Sequence, residues 1–395
     1  MSVLLFDKFD FNYSPVISNK KKSILSSFMK GQKEQELFTV QSDCFPYTQG
    51  KSGYCWLVSA LQCISIFLKR TQNISVMFDC NYLIFFDKLE KANAFFDGII
   101  ENLDKPIDDN TNSFILDQPM TDKGQWTMAV RLIKKYGLLP QERDQNCLIT
   151  ETKELNTILS YLLRIYAYDI RQLSERGGSI SQIENLKQKS MQRIYNLLVD
   201  CLGKPCANTD IQRKYFYEFI SFPIDEYVSI FASNDEEAYV QYEVEYNQIY
   251  FLSVPDRIFD DLVEKQIISD GFCWSTGDVG KFYIKSKHVL DDLIVDMSAF
   301  RNIESSIDRY SILKYHIGRM SHAMVLCDMK ESSYEKYYIA YDSGYEIESG
   351  MECKMSQSWF KKFLFQAVVH KSVLSAEVMN RMTNKRVKPW EFWGV

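Results

Sequence analysis

The sequence predicts an α+β fold with a helical front lobe and a β-rich back lobe. Apolar residues recur at helical spacing through the first half of the chain. After about residue 210 the pattern changes to polar–apolar alternation rich in aromatic and β-branched residues. The length of 395 residues is long for one compact core, which points to two lobes or one large domain with insertions.

In chain order, residues 1–40 form a mixed N-terminal arm. They carry the run Lys20-Lys21-Lys22, a solvated surface, and a short helix around 24–29. From 55 to 70, Leu57, Ala60, Leu61, Ile64, Phe67 and Leu68 repeat at three and four, the mark of a helix with one apolar face. Helices follow at 79–91 and 125–135, the second stopped by Gly137 with Pro140 beyond. Residues 152–202 are largely helical with a break at Gly177-Gly178. Across 239–254 the alternation includes Tyr239, Val240, Tyr242, Val244, Tyr246, Ile249, Tyr250 and Leu252, which reads as strand. Further strands are expected at 271–275, 324–328 and 337–341, and a helix at 359–365 precedes the apolar run 367–373. The boundaries are therefore an arm at 1–40, a helical lobe at 41–210 and a β-rich lobe at 211–395. There is no internal repeat and no low-complexity tract.

Composition narrows the function classes. With 46% hydrophobic and 25% charged residues the chain is an ordinary folded protein. The 16 Gly and 9 Pro leave little room for long flexible linkers. A net charge of -6 supplies no general electrostatic reason to bind nucleic acid or an anionic membrane. The opening Met1–Asp7 stretch is too briefly apolar for a signal-peptide core, and no window is long enough to span a membrane, so a cytosolic protein, or one in a compartment reached without a cleaved signal, is expected. The 10 Cys include no CxxC pair, and Cys201 and Cys206 lie far from any His, so no metal site is implied. Most of these thiols are expected as small buried hydrophobes.

One cysteine stands in a different setting. In Gln49-Gly50-Lys51-Ser52-Gly53-Tyr54-Cys55-Trp56 the thiol falls at the head of the first apolar helix. There the helix dipole and free backbone N–H groups favour a thiolate. Gly53 permits a tight approach and an unusual φ, and Trp56 shields the site from water. The Gln49 amide and the Cys55 N–H together are suited to hold an oxyanion. A buried structural cysteine in a helix is the plainer alternative. His322 is one of 4 histidines and precedes the strand candidate at 324–328. Asp342 ends the next one, so neighbouring strands are able to hold imidazole and carboxylate side by side.

The string from Gln49 to Trp56, followed by its apolar helix, resembles the nucleophile segment of papain-like cysteine peptidases. It is most similar to bleomycin hydrolase, or aminopeptidase C, with its Gln-x-x-Ser-Gly-x-Cys-Trp pattern. Further blocks match in family order: Lys123-Gly124-Gln125-Trp126, Tyr136-Gly137, Asn196 to Pro205, Gly277 to Lys281, Met320 to Met324, Met355 with Trp359, and Pro389-Trp390-Glu391 with Gly394. The resemblance implies a papain-like two-lobe fold, the front lobe bearing a helical insertion and the back lobe β-barrel-like. It implies Cys55 as nucleophile, His322 as base and later acid, Gln49 as oxyanion donor, and Asp342 in the place of the family's Asn. Gly124 and the Ser321 carbonyl would pair with substrate backbone, and the Val395 carboxylate would hold the substrate ammonium. It also implies short peptides as substrates, no cofactor, and a homo-hexamer.

Three positions depart from the family pattern. Asp342 replaces Asn, which raises the pKa of His322. Gly344 replaces a shielding Trp, which should expose the pair and weaken its coupling. Lys123 replaces the first glycine of a Gly-Gly pair, either pointing to solvent or drawing acidic substrates. The tail is also a little short and bulky at Phe392-Trp393. A Cys-His-Asp aminopeptidase is the reading these residues favour. A catalytically impaired scaffold that binds peptides or assembles is the alternative, and an acyl-transfer enzyme acting on a non-peptide amide is a third reading.

Overall fold

The computed structural model describes residues 47–141, 151–205, 208–233, 239–244, 249–284, 288–292, 307–331, 336–344, 352–381 and 383–387. The N-terminal arm, its lysine run and expected helix, and the C-terminal tail with Val395 lie outside them.

Helix α1 (Cys55–Gln72) is stopped by Asn73, which adopts φ 56° and returns its N–H to the Leu68 and Lys69 carbonyls. Its apolar stripe is buried, and so are Ser59, Gln62 and Ser65 on the other side, which makes it a central helix. Helix α2 (Cys80–Glu101) starts where the Asp79 carboxylate accepts the Asn81 and Tyr82 amides. It outruns the expected end at 91 because Ala92, Phe95, Phe96 and Ile99 continue its buried face. Helix α3 (Asn110–Asp117) is short, and α4 (Trp126–Tyr136) ends at Gly137 as its sequence requires.

Helices α5 (Lys153–Glu175) and α6 (Ile180–Leu202) form a hairpin that breaks at the two glycines. Gly177 has φ +77°, a conformation in which a side chain is strained. Ser179 then opens α6 with a reciprocal capping box to Gln182. Helix α7 (Thr209–Tyr215) completes the helical half.

The second half supplies β1 (Tyr227–Ser233), β2 (Val240–Val244), β3 (Ile249–Pro255), α8 (Asp256–Asp270), β4 (Cys273–Gly277), β5 (Tyr283–Ile284), β6 (Val289–Leu290), α9 (Arg309–Lys314), β7 (His322–Glu331), β8 (Lys336–Tyr341), β9 (Glu352–Ser356), α10 (Gln357–Phe363), β10 (Leu364–His370), α11 (Ala376–Arg381) and β11 (Thr383–Val387). The described strands make one 11-stranded sheet in the order β11-β2-β3-β1-β10-β4-β7-β8-β9-β6-β5. Pairing is antiparallel except at β11–β2, β3–β1 and β6–β9.

The alternation expected at 239–254 appears as the antiparallel β2–β3 pair, with Val240 opposite Ser253. Sequence reading missed β1, whose run Ile230, Phe231, Ala232 is buried without alternating, and also α8, β9 and β11. It placed the helix before β10 two residues late. Ser356 caps α10 through the Trp359 amide, and the Phe363 carbonyl is taken by the Asp278 amide, which ends the helix there.

Successive residues on the central strands face different cores. Trp274, Ala323, Val325 and Val368 join the cluster that contains α1, α2, α4, α5 and α6. Their neighbours Cys273, Met324, Leu326, Ala367 and Val369 join a second cluster with α8, α9 and α10. The central strands are covered on both faces, which explains why they read as continuous apolar runs rather than clean alternations. Among the described residues no helix is long and apolar enough to cross a membrane.

Candidate active site

The head of α1 is pinned to the covered sheet at two points. The Trp274 indole N–H donates to the Trp56 carbonyl at 3.0 Å. The Ser59 hydroxyl donates to the Ala323 carbonyl at 3.2 Å. Cys55 is the first residue of α1 and His322 the first of β7, so these contacts bring thiol and imidazole together as hydrogen-bonded partners.

The antiparallel pairing of β7 with β8 sets Val325 opposite Tyr341, which carries Asp342, the next residue, alongside the start of β7. His322 Nε2 and Asp342 Oδ1 are 2.7 Å apart, with side-chain exposures of only 13% and 7%. With Nε2 engaged by the carboxylate, Nδ1 is the imidazole atom left for the thiol. The Gly344 amide donates to Asp342 Oδ1 at 2.8 Å, and the Tyr283 hydroxyl reaches Oδ2 at 3.4 Å. The pair is therefore not opened by the glycine at 344, contrary to expectation. The backbone of 344 and the Tyr283 hydroxyl cover the carboxylate instead.

The charges support one another against burial. Burial favours neutral imidazole, but Cys55 and Asp342 beside it push His322 up to about 10. Burial likewise raises the Cys55 thiol, yet the imidazolium, with the Ala323 and Trp56 amides, brings it below the ordinary cysteine value. Asp342 resists burial in the same way and lies below the usual carboxylate range, held by His322, the Gly344 amide and Tyr283. All three shifts favour a thiolate–imidazolium–carboxylate row.

Gln49 lies beside that row. Its amide N–H donates to the Ser343 carbonyl at 2.9 Å, and the Ser343 hydroxyl donates to its Oε1 at 3.1 Å. With Oε1 engaged, Nε2 lies on the side of Gly344, 3.8 Å from where a Cβ of that residue would stand. The same point is 3.5 Å from the His322 ring.

Gly124 lies flat against the Trp56 indole, where a Cβ would come within 2.3 Å of Cε2. Close approach is also the reason for glycine at 53, since a Cβ there would meet Asp122 Cβ at 2.8 Å. The unusual φ expected at 53 is absent, because Gly53 is not among the positive-φ residues. Ser321 is exposed and tied at both its amide and its hydroxyl to the Gly277 carbonyl, 3.1 and 3.3 Å away. Lys123 is exposed and donates to Gln118 Oε1 at 3.2 Å, which is the solvent-facing alternative of the two weighed for it.

The structure thus brings Gln49, Cys55, His322 and Asp342 to one place and fixes Gly124 and Ser321 by packing and hydrogen bonds. Val395 is outside the described residues. Sequence reading missed four supporting groups. Ser343 orients Gln49, Tyr283 covers Asp342, Asp278 accepts from the Arg319 amide and the Ser321 hydroxyl, and Asp122 accepts from the Gly53 amide. Asp122 was findable as the acid next to the Lys123–Trp126 block. Tyr283 sits 59 positions from its partner and gave no local signal. Among the described residues no group of three His, Cys, Asp or Glu side chains is placed to hold a metal ion.

The chain is similar to known proteins over most of its length. Residues 15–394 match the Peptidase C1-like family. The chain is similar to Aminopeptidase C of Lactobacillus delbrueckii subsp. lactis, at 26% identity over 90% of this chain and 86% of the relative. It is 25% identical to Aminopeptidase W of the same organism over 97% and 96% of the two chains. The crystal structure of PepW from Lactobacillus rhamnosis HN001 superposes with a TM-score of 0.80 at 25% identity, covering 94% of this chain and 90% of that one.

Proposed function

Because the chain belongs to the Peptidase C1-like family, whose model spans residues 15–394, we infer that it is a cysteine-type aminopeptidase acting by a Cys-His-Asp mechanism. The observation that carries the mechanism is the buried row Cys55–His322–Asp342, with His322 raised and Cys55 lowered. The aminopeptidase reading is supported by the names of the relatives.

The Cys55 thiolate attacks the peptide carbonyl carbon and a C–S bond forms. The carbonyl oxygen takes the negative charge, and the Gln49 side-chain amide with the Cys55 backbone N–H stabilise it. His322 Nδ1 gives its proton to the leaving amine as the C–N bond breaks. The imidazole then takes a proton from water, the hydroxide adds to the thioester, and acid and thiolate are released. Asp342 keeps the imidazole oriented and favours its charged form. Gly124 and the Ser321 carbonyl pair with the substrate backbone, and the Val395 carboxylate holds the substrate ammonium. The two hydrophobic clusters support a two-lobe, papain-like reading with the site where α1 meets β7.

An intact, charged row is what a retained enzyme needs and a scaffold does not, so the scaffold alternative is not favoured. Aminoacyl-anilide hydrolysis tests the reading. Wild type turns over free-amine substrates and rejects N-acetylated ones, whereas Cys55→Ala does neither. Background turnover by wild type removes the peptidase reading. Extending the chain past Val395 should lower turnover of free-amine substrates, and an unchanged product pattern takes the tail out of the mechanism.

A cytosolic homo-hexamer is the assembly drawn from the resemblance. It is supported by an exposed apolar row on α5, Ile158, Tyr161, Ile165 and Tyr168, at three- and four-residue spacing. Light scattering that gives the mass of one chain removes that reading.

A further inference from the structure

The head of α1 is clasped from outside the catalytic row by a single residue, Asp122. Its Oδ2 accepts the Gly53 amide at 3.0 Å, and its carbonyl accepts the Trp56 indole N–H at 2.7 Å. Cys55 lies between those two attachments. The same carboxylate is saturated by groups from two other helices. Lys88 Nζ of α2 donates to Oδ1 at 2.6 Å, and Asn156 Nδ2 of α5 donates to it at 2.7 Å. The Thr152 hydroxyl donates to Oδ2. Lys88 also donates to Asn156 Oδ1 at 2.5 Å, which closes a ring of polar contacts.

The segment that leads to Gly124 is held by the same assembly. Lys91 Nζ donates to the Thr121 carbonyl at 2.9 Å and the Lys123 carbonyl at 2.8 Å, and it pairs with Asp87 at 2.7 Å. Asp87 in turn accepts the Tyr54 hydroxyl at 2.8 Å. The Tyr54 hydroxyl and both carbonyls flanking Asp122 are therefore fixed by α2.

We propose that Asp122, held by Lys88 and by Thr152 and Asn156 of the helical insertion, is a positioning residue for the reaction. It fixes the Cys55 backbone N–H and the Gly124 edge so that oxyanion and substrate backbone meet donors already in place. The proposal rests on the peptidase reading of Cys55 but concerns groups that touch neither substrate nor the catalytic row.

Burial is the first influence on both ionic partners. It draws the Lys88 ammonium down to about 8, while Lys88 with the Asn156 and Thr152 donors outweighs it at Asp122 and holds that carboxyl at about 2. The Lys88 side chain has 0% exposure. A carboxylate with four donors, one of them a wholly buried ammonium, has no freedom to drift, which suits it to hold a geometry that must not relax during reaction.

The test separates thiolate chemistry from oxyanion geometry. Alkylation of Cys55 by iodoacetamide reads the thiolate alone. Inhibition by a peptide aldehyde reads the oxyanion donors and the substrate edge as well, because the thiol adds to its carbonyl. In folded Asp122→Asn, the alkylation rate and its pH profile stay within about twofold of wild type, while aldehyde affinity and kcat/KM fall on the order of 10- to 100-fold. Unchanged aldehyde affinity, or an alkylation rate that falls in step with it, overturns the proposal. If Asp122→Asn does not fold, Asn156→Leu removes one donor without changing charge and carries the same comparison, with a several-fold loss expected and none overturning. Should wild type bind the aldehyde yet hydrolyse no peptide, the peptidase reading fails while the positioning role is still decided by the variants.

Discussion

At the scale of single residues, the site is governed by how many charges can be kept in a place that excludes water. A buried imidazolium survives because Cys55 and Asp342 flank it, and its positive charge in turn offsets the burial of both. The active ionic form exists between the lowered Cys55 value and the His322 value of about 10. We expect kcat/KM to fall on the acid side as the thiolate protonates and on the alkaline side near pH 10 as the imidazolium is lost, measured on a neutral substrate across that range.

Asp342→Asn removes one of the charges that raise His322. Its alkaline limb should move to lower pH and the Cys55 alkylation profile to higher pH, with activity lowered about tenfold. Coincident profiles would show that the carboxylate charge plays no part.

The same shifts set the sign for stability. Imidazolium stabilisation is complete below the ordinary histidine value and is lost as pH rises through about 10. The Asp342 contribution is present above the ordinary carboxylate value and is lost as pH falls through its lowered one. Thermal unfolding of wild type and Asp342→Asn against pH measures both limbs. Cys55 was legible at this scale because its neighbours Gln49, Gly53 and Trp56 are adjacent in the chain. Tyr283 and Ser343 were not, because their roles exist only after strands distant in sequence come together.

At the scale of elements, a glycine against an indole and a buried ion pair set the tolerances. Gly124→Ala would drive a Cβ to within 2.3 Å of Trp56, so one of the two must shift. The expected cost is about 1–3 kcal/mol of strain and a kcat/KM loss on the order of tenfold or more, seen by urea unfolding and anilide turnover together. Lys88→Met leaves the Asp122 carboxylate without its buried partner and should cost about 3–5 kcal/mol in the same unfolding assay; a loss within 0.5 kcal/mol would mean that Asp122 is satisfied without it.

Gly177→Ala, at φ +77° in the hairpin turn, should cost about 1 kcal/mol and leave turnover unchanged, since a Cβ there meets nothing within 4 Å. Helices α1, α4, α5 and α6 were readable because stripes, caps and glycine stops are local signals. Strand β1 was not, because residues buried by tertiary cover on both faces lose the alternation that identifies a strand.

At the scale of the whole molecule, one sheet divides two cores, and Cys55 and His322 come together where the head of α1 meets the first residue of β7. Cys55 and His322 are 267 positions apart by number, and what joins them is the pair of contacts from Trp274 and Ser59 across the α1–sheet boundary. The sequence alone determined the mixed helix-and-sheet class, the long helical stretch with its break at Gly177-Gly178, the membership suggested by ordered motifs, and the residue types able to form a thiolate site. Each of those depends on neighbours within a few residues of one another or on strings that survive unchanged.

Only the tertiary structure decided that Asp342 is enclosed despite the glycine at 344, that Lys123 faces solvent, and that Asp122 ties the turn before Cys55 to two helices. Burial and charge compensation are sums over groups far apart in the chain, and no local string of residues contains them.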